Sequence, residues 1–180
     1  TTASVERMRI NSSGNVGIGT TSPDKLLDVS SDSTPTIRIT NTLQSSSNYT
    51  IGAFEFFSED ASTPGGARVL SSILCVNNAG SAVPNGELAF YTALGGGSGA
   101  AATEKMRITD GGNVGIGTDD PQSKLQVHGG IQMGDDADAA SADKVGTLRY
   151  TTSGNNSYVD MCMQTAASTY AWINIVQNNW

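Results

Sequence analysis

The sequence predicts an all-β fold from its composition, its periodicity and an internal repeat. Of the 180 residues, 21 are glycine, and Ser, Thr and Asn are abundant; these residues favour turns and compete with helical hydrogen bonds. No stretch of ten or more helix-forming residues carries apolar side chains at helical spacing. Short alternating runs separated by turn residues recur along the chain instead, which is typical of β-strands.

The repeat relates residues 6–29 to residues 104–127, which align without a gap at an offset of 98 and are identical at 14 of 24 positions. Each copy predicts three short strands separated by two turns, which fall at residues 12–15 and 21–24 in the first copy because Gly, Asn and Pro favour chain reversal there. The alternating apolar side chains of the strands share one face. They are Met8, Ile10, Val16, Ile18, Leu27 and Val29 in the first copy, and Met106, Ile108, Val114, Ile116, Leu125 and Val127 in the second.

Six apolar side chains in two dozen residues are too few to form a core alone. A ribbon of strands with one apolar face and free edges must find partners or aggregate. Three copies of the chain around a common axis would bury the faces and pair the edges, and the alternating glycines would let neighbouring backbones approach closely. We therefore expect the twelve side chains to form the core of a homotrimer.

The remaining segments predict three further parts of the chain. Between the two copies, strands are expected at residues 36–40, 49–58, 68–77 and 87–94. Their apolar residues fall on both faces, which favours a lateral, β-sandwich-like module or a lobe docked on its trimer mates. Strands at residues 148–151, 157–164 and 170–176 predict a small β-rich C-terminal cap. The expected divisions are residues 1–29 (axial element), 30–103 (lateral module), 104–130 (second axial element), 131–147 (polar linker) and 148–180 (cap).

Charge and hydropathy exclude several classes of partner. The net charge is −7 and no Lys/Arg cluster is present, so a nucleic-acid partner is not expected. No apolar run approaches the roughly 20 residues that span a bilayer, so membrane insertion is not expected either. Thr1 at the first position and the absence of a leader pattern suggest a fragment of a longer array. Cys75 and Cys162 match no metal or redox spacing and are expected to be buried thiols of a protein assembled in a reducing cytoplasm.

Two motifs carry a family resemblance. The stretches ERMRINSSGNVGIGTTSP and EKMRITDGGNVGIGTDDP resemble an element that recurs in bacteriophage tail fibres and related appendage proteins. The closing GTLRY and AWINI are similar to the ends of many fibre chains. The resemblance covers residues 6–29, 104–127 and about 146–175.

The resemblance implies a parallel homotrimer of intertwined β-structure, assembled in the host cytoplasm and located in the virion as the distal part of a tail fibre. Its implied partners are the chain itself, other virion tail proteins, and a host cell-surface glycan or protein. Two alternatives stay open: a purely structural appendage such as a collar or whisker fibre, and a trimeric bacterial surface adhesin. Cell-binding assays would separate the first alternative from a receptor-binding fibre, and a secretion signal with a membrane anchor would mark the second.

Candidate cofactor and metal sites favour structural interpretations. The GNVGIGT stretch is not a phosphate-binding loop, because Pro23 and Pro121 follow it closely and no helix is expected. His128 is the single histidine, and three copies near an axis could bind a metal, but without a second ligand a packed or solvated histidine is favoured. The acidic run at residues 135–143 lacks the glycine and the glutamate of a calcium loop, so a solvated linker is favoured. That run comprises Asp135, Asp136, Asp138 and Asp143. No cofactor is expected.

Catalysis is not expected. Glycoside hydrolysis needs two carboxylates across a scissile bond, and nothing fixes the spacing of the available ones. These are Glu55, Glu59, Asp60 and Glu87. A Ser/His/Asp arrangement would have to use His128, which lies in an axial element rather than a cleft.

Aromatic residues are concentrated in the cap. Aromatic rings supply sugar-stacking surfaces and interface anchors, so Tyr158, Tyr170 and Trp180 are possible receptor contacts. Trp172 is expected to pack inside the cap, because apolar residues flank it on both sides.

Overall fold

A computed structural model describes residues 6–42, 49–60, 66–78, 85–94 and 101–178. The prediction of an all-β fold is confirmed: the described residues form twelve strands and one short 3-10 turn. The chain divides into two compact units, Thr1–Thr103 and Glu104–Trp180. The boundary between the units falls where the second copy of the repeat begins.

The first unit contains six strands in two groups. Strands β1 and β2 are antiparallel, and β3 lies parallel to β2 on its other side. Strands β4, β5 and β6 form an antiparallel layer in chain order. The bounds are β1 Met8–Ile10, β2 Val16–Ile18, β3 Leu27–Val29, β4 Tyr49–Ser58, β5 Arg68–Asn77 and β6 Gly86–Thr92.

The second unit repeats the first group and adds the cap. Strands β7, β8 and β9 pair as β1, β2 and β3 do, and β10, β11 and β12 form an antiparallel layer. The 3-10 turn at Ala142–Lys144 lies between the two groups. The bounds are β7 Thr103–Ile108, β8 Val114–Ile116, β9 Leu125–Val127, β10 Leu148–Ser153, β11 Asn156–Ala166 and β12 Thr169–Asn178.

The two hairpin loops of the cap show how the sequence sets these elements. Gly154 begins the loop between β10 and β11 with a φ of 61°, a conformation that glycine adopts without steric penalty. Ser168, in the loop between β11 and β12, takes a φ of 56° without being glycine. The residues SGNN therefore form the turn that joins β10 to β11.

The predicted strand at residues 36–40 is wrong. Ile37 and Ile39 alternate as in a strand, but the segment has no ladder partner among the described residues. Ile39 instead packs on β4 at Gly52, where an added Cβ would lie 2.6 Å from Ile39 Cγ2. Asn41 Nδ2 also donates to the Thr50 carbonyl at 3.1 Å. The segment therefore contacts the layer through side chains rather than extending its hydrogen-bonded ladder.

The described part of the chain has almost no apolar core. Within the described ranges, Ala89 and Cys162 are the apolar residues that are fully buried. The chain exposes 12,650 Å², whereas two separate compact domains of half its mass would together expose about 9,900 Å². The expectation that Cys75 is buried is wrong, since it is partly exposed. Much of the apolar surface of this chain is therefore available for contacts with other molecules.

No helix in the described part of the chain has the length and apolar character needed to cross a membrane.

Candidate functional site

The repeated element places its apolar side chains in two rows on one face. Residues directly opposite each other in a ladder project from the same face of the sheet. The rows of the first copy are Met8–Ile18–Val29 and Ile10–Val16–Leu27, and those of the second are Met106–Ile116–Val127 and Ile108–Val114–Leu125. The structure thus brings together the six predicted side chains of each copy, and we call each set of six an axial face.

The two copies share the same backbone hydrogen bonds at the same offset. Val16 N donates to the Leu26 carbonyl at 2.9 Å, and Val114 N donates to the Lys124 carbonyl at 2.9 Å. The side-chain amide of Asn15 donates to the Pro23 carbonyl at 3.1 Å, and an equivalent bond joins Asn113 to Pro121 at 3.0 Å. The element is therefore one local structure that the sequence specifies twice.

The loop between β2 and β3 covers the opposite face of the element. A Cβ on Gly17 would lie 2.7 Å from the Thr20 carbonyl oxygen and 3.4 Å from Pro23 Cβ. Pro23 is buried, and Pro121 is buried at the same place in the second copy. The strand glycines are thus required by close approach of the chain's own loop, rather than by a neighbouring chain.

An ion pair fixes that covered face. Arg9 Nε lies 2.6 Å from Glu6 Oε1, and Arg9 Nη1 donates to the Thr21 carbonyl at 3.0 Å. The hydrogen bond from Arg9 lowers the pKa of Glu6. Glu104 and Arg107 form the same pair at 2.6 Å in the second copy. Since each element satisfies its polar face by itself, the axial face is the one left for a partner.

The axial faces are open in the single chain. Ile10 is 67% exposed and Leu125 is 56% exposed; Met8, Ile18, Leu27 and Ile116 are also exposed. The other members are half-buried. An aliphatic surface of this kind, without charge, binds another apolar surface through the hydrophobic effect rather than supporting chemistry.

The cap also has one covered and one open face. The segment that precedes it docks through a polar network: Lys144 Nζ lies 2.6 Å from Asp136 Oδ2 and 3.1 Å from Asp138 Oδ2. The hydrogen bond from Lys144 lowers the pKa of Asp136, and the same bond raises the pKa of Lys144. Within the acidic run, Asp136 is therefore half-buried and paired with Lys144, whereas Asp135, Asp138 and Asp143 are exposed.

Arg149 and Trp172 are the centre of the covered face of the cap. The Arg149 guanidinium lies 4.2 Å from the Trp172 ring centroid, and its Nη2 is 3.0 Å from Asp160 Oδ2. Arg149 Nη1 also donates to the Asp136 carbonyl at 2.8 Å, while Trp172 Nε1 donates to the Asp138 carbonyl at 3.1 Å. Trp172 therefore packs within the cap, but it is half-buried and held by polar contacts.

The open face of the cap is apolar. Its rows of directly opposed residues are Leu148–Met161–Ile173 and Tyr150–Val159–Val176. Leu148, Tyr150, Ile173 and Val176 are exposed large hydrophobic residues. The cap thus follows the same rule as the axial elements, with a covered polar face and an open apolar one.

Two of the predicted receptor contacts, Tyr158 and Tyr170, lie apart in the cap. Tyr158 pairs with Thr151 near the first loop of the cap, whereas Tyr170 pairs with Gln164 near the second. Six residues of β11 separate these positions, which is about 20 Å along a strand. Both tyrosines are half-buried, and Trp180 lies outside the described residues. Within one chain, Tyr158 and Tyr170 therefore do not form one site.

The candidate metal and catalytic residues are scattered. No group of three or more His, Cys, Asp or Glu side chains within the described ranges could hold a metal ion. His128 is exposed, and its backbone N–H donates to the Ile116 carbonyl at 2.8 Å. Glu87 is 5% exposed and accepts from Asn78 at 3.1 Å. The remaining carboxylate candidates, Glu55, Glu59 and Asp60, are exposed.

No protein-family model matches this chain, and no curated protein matches its sequence.

Proposed function

We propose that this chain is a structural component of the distal part of a bacteriophage tail fibre, a homotrimer that attaches the particle to a host receptor without catalysis. The observation that carries the proposal is the pair of open axial faces, one in each copy of the repeat. The loop of each element covers only the opposite face, so the apolar rows have nothing in the described chain to pack on. A second and a third copy of the chain would bury them.

The two edge strands of the first element are compatible with a closed ring of chains. Strands β1 and β3 are the two edges of the first element, and they differ in sequence and direction. A contact that joins the β1 edge of one chain to the β3 edge of the next is head-to-tail, and such contacts close only as rings. The number three comes from the resemblance to tail fibres, whose chains are parallel homotrimers.

Attachment follows from the multiplicity of the proposed assembly. Three caps on one fibre, and several fibres on one particle, convert weak single contacts into lasting adhesion. The proposed receptor contacts are Tyr158, Tyr170 and Trp180, and the proposed receptor is a host cell-surface glycan or protein. The other proposed partners are neighbouring tail proteins of the virion.

Binding to a panel of bacterial strains tests attachment. The labelled trimer should bind host cells saturably and slow the adsorption of the phage that carries it. Incubation with purified surface polysaccharide should leave its chain length unchanged. A chain that binds no host cell, and that antibody labelling locates at the collar of the particle, would instead be a purely structural appendage.

A further inference from the structure

The layer formed by β4, β5 and β6 has an apolar face of its own. Phe54 lies opposite Ile73, and Ile73 lies opposite Phe90, so these three side chains form a row across the strands. The flanking rows are Gly52–Cys75–Leu88 and Phe56–Ser71–Thr92. None of these nine residues is charged, and Phe54 and Phe56 are 58% and 60% exposed. We call these three rows the phenylalanine face.

The other face of the same layer is more polar. Its three rows are Thr50–Val76–Glu87, Ala53–Leu74–Ala89 and Glu55–Ser72–Tyr91, so this face carries two glutamates, and Ser72 and Glu87 are 7% and 5% exposed. Phe57 also belongs here, since it follows Phe56 in the strand and adjacent residues project to opposite faces. The two faces of one layer thus differ in chemistry, and the phenylalanine face is the one suited to an apolar partner.

A groove in the phenylalanine face is the size of a side chain. It measures about 230 Å³ and is lined by residues that include Ile39, Gly52, Phe54, Ile73, Cys75 and Leu88. Apolar cavities of about 150 Å³ accommodate benzene, while pockets for small-molecule ligands start near 300 Å³. Ile39 of the same chain already packs on Gly52 at one end. The groove therefore suits one further aromatic or aliphatic side chain from another polypeptide.

Arg68 supplies an independent observation at the end of this face. It lies opposite Ser58, two residues beyond Phe56 in β4 and so on the same side of the layer. Its Nε and Nη1 are shielded from solvent and have no hydrogen-bond partner among the described residues. Shielded N–H groups of a guanidinium are costly when unpaired. The end of the phenylalanine face near Arg68 therefore leaves two guanidinium donors unsatisfied within the described residues.

We propose that the phenylalanine face packs against the same module of neighbouring copies of this chain, with an aromatic side chain of one copy in the groove of the next. A second copy is the occupant that the face favours, because the nine residues in the three rows of each copy are uncharged, so that two such faces meet without like-charge repulsion. This inference rests on the proposed trimer and adds a second contact region to it.

The size of the face sets what it can do. Three strands about 4.8 Å apart and about 24 Å long present roughly 350 Å², whereas a stable interface buries about 800 Å² on each partner. The phenylalanine face therefore reinforces a trimer that other surfaces hold together. Disrupting it should open the module without dissociating the chains.

The two native thiols report on the phenylalanine face in the full 180-residue protein. Cys75 lies in the face and is partly exposed in the single chain, whereas Cys162 is buried by its own chain. In the trimer, neither thiol should react with an aromatic disulfide reagent. The Phe56→Asp variant should keep the trimer mass while its Cys75 reacts about tenfold faster or more, since the face is locally opened.

A matched control is available next to the test position. Phe57 is 57% exposed, close to Phe56, but it lies on the other face, so Phe57→Asp should leave Cys75 protected. Leu88→Ser is a milder change in the same face and should also raise the reactivity of Cys75. It replaces Phe56→Asp in the test if that variant fails to fold.

The outcomes separate this inference from the proposed function. A trimer in which Cys75 of the wild type reacts freely would overturn the inference and leave the trimer standing. Protection that persists in both Phe56→Asp and Leu88→Ser would overturn it as well, because the chain itself would then shield the thiol. A wild-type monomer would overturn both proposals.

Discussion

Ile10 lies directly opposite Val16 across β1 and β2, yet it remains 67% exposed. The pair shows how this chain is built: the ladder aligns apolar side chains, and nothing within the described chain covers them. The same ladder pairing recurs in Ile108 and Val114 of the second copy, which are half-buried. Covering these faces by other copies of the chain is the basis of the predictions that follow.

A carboxylate in the axial face should prevent assembly. Ile10→Asp combined with Ile108→Asp places a charge in each face, and a buried unpaired charge costs several kcal/mol. We expect the trimer to dissociate or to fail to form, as measured by light scattering after size exclusion. Ser13→Asp adds the same charge at an exposed turn of the first element and should leave the mass unchanged. Equal masses for the double variant and the wild type would contradict the prediction.

Adding a methyl group at Gly115 should destabilise the repeated element. An added Cβ would overlap the Thr118 carbonyl oxygen, so Gly115→Ala is expected to cost about 1–3 kcal/mol by overpacking. Gly130 has no atom within 4 Å of an added Cβ, and Gly130→Ala should change the stability by less than about 1 kcal/mol. Urea unfolding of both variants measures the difference, and equal midpoints would show that the loop does not pack as described.

Much of this fold follows from sequence because its signals are local. The strands at 49–58 and 68–77 were expected at the observed residues, since alternation and flanking turn residues are features of short segments. The three strands of each repeat were also expected, because apolar parity and Gly/Pro turns specify them. The segment at 36–40 shows the limit: Ile37 and Ile39 alternate as in a strand, but alternation does not reveal whether a ladder partner exists.

The network of the cap could not be predicted for a related reason. Trp172 donates to the carbonyl of Asp138, 34 residues away, and a backbone acceptor leaves no trace in the sequence. The pairing of Arg149 with Asp160 joins residues 11 apart and follows only once the register of β10 and β11 is known. The acidic run offered four similar carboxylates, and its sequence did not indicate that Lys144 contacts Asp136.

The Asp136–Lys144 pair should make the stability of the cap depend on pH. The hydrogen bond from Lys144 lowers the pKa of Asp136 in the fold. The pair therefore stabilises the fold above the unfolded pKa of aspartate, about 3.9, and this contribution is lost as the pH falls through the folded value. The raised pKa of Lys144 preserves the contribution up to the alkaline range.

Asp136→Asn tests that dependence. The variant should have a lower Tm than the wild type between about pH 5 and 9, and the difference should shrink below about pH 4. Asp143→Asn, an exposed aspartate of the same segment, should follow the wild type throughout. A Tm difference for Asp136→Asn that is the same at pH 2 and pH 7 would show that the ion pair is not its cause.

Trp172 should contribute to the cap through both stacking and its N–H. Trp172→Phe keeps an aromatic ring beside Arg149 but loses the bond to the Asp138 carbonyl, at a cost of about 1 kcal/mol. Trp172→Ala loses the packing too and should cost about 2–3 kcal/mol, less than for a fully buried ring. Tyr150→Phe removes an exposed bond to Ser157 and should cost less than about 0.5 kcal/mol. Calorimetry ranks the three variants by lost stability. Trp172→Ala should lose the most, Trp172→Phe less and Tyr150→Phe the least, and any other order would count against this description.

The mass of the purified chain in dilute solution tests the central claim most directly. Sedimentation equilibrium at micromolar and lower concentrations should give three times the chain mass of 18.6 kDa, because the open apolar faces need sister chains to cover them. A folded, monodisperse species of a single chain mass at those concentrations would contradict it.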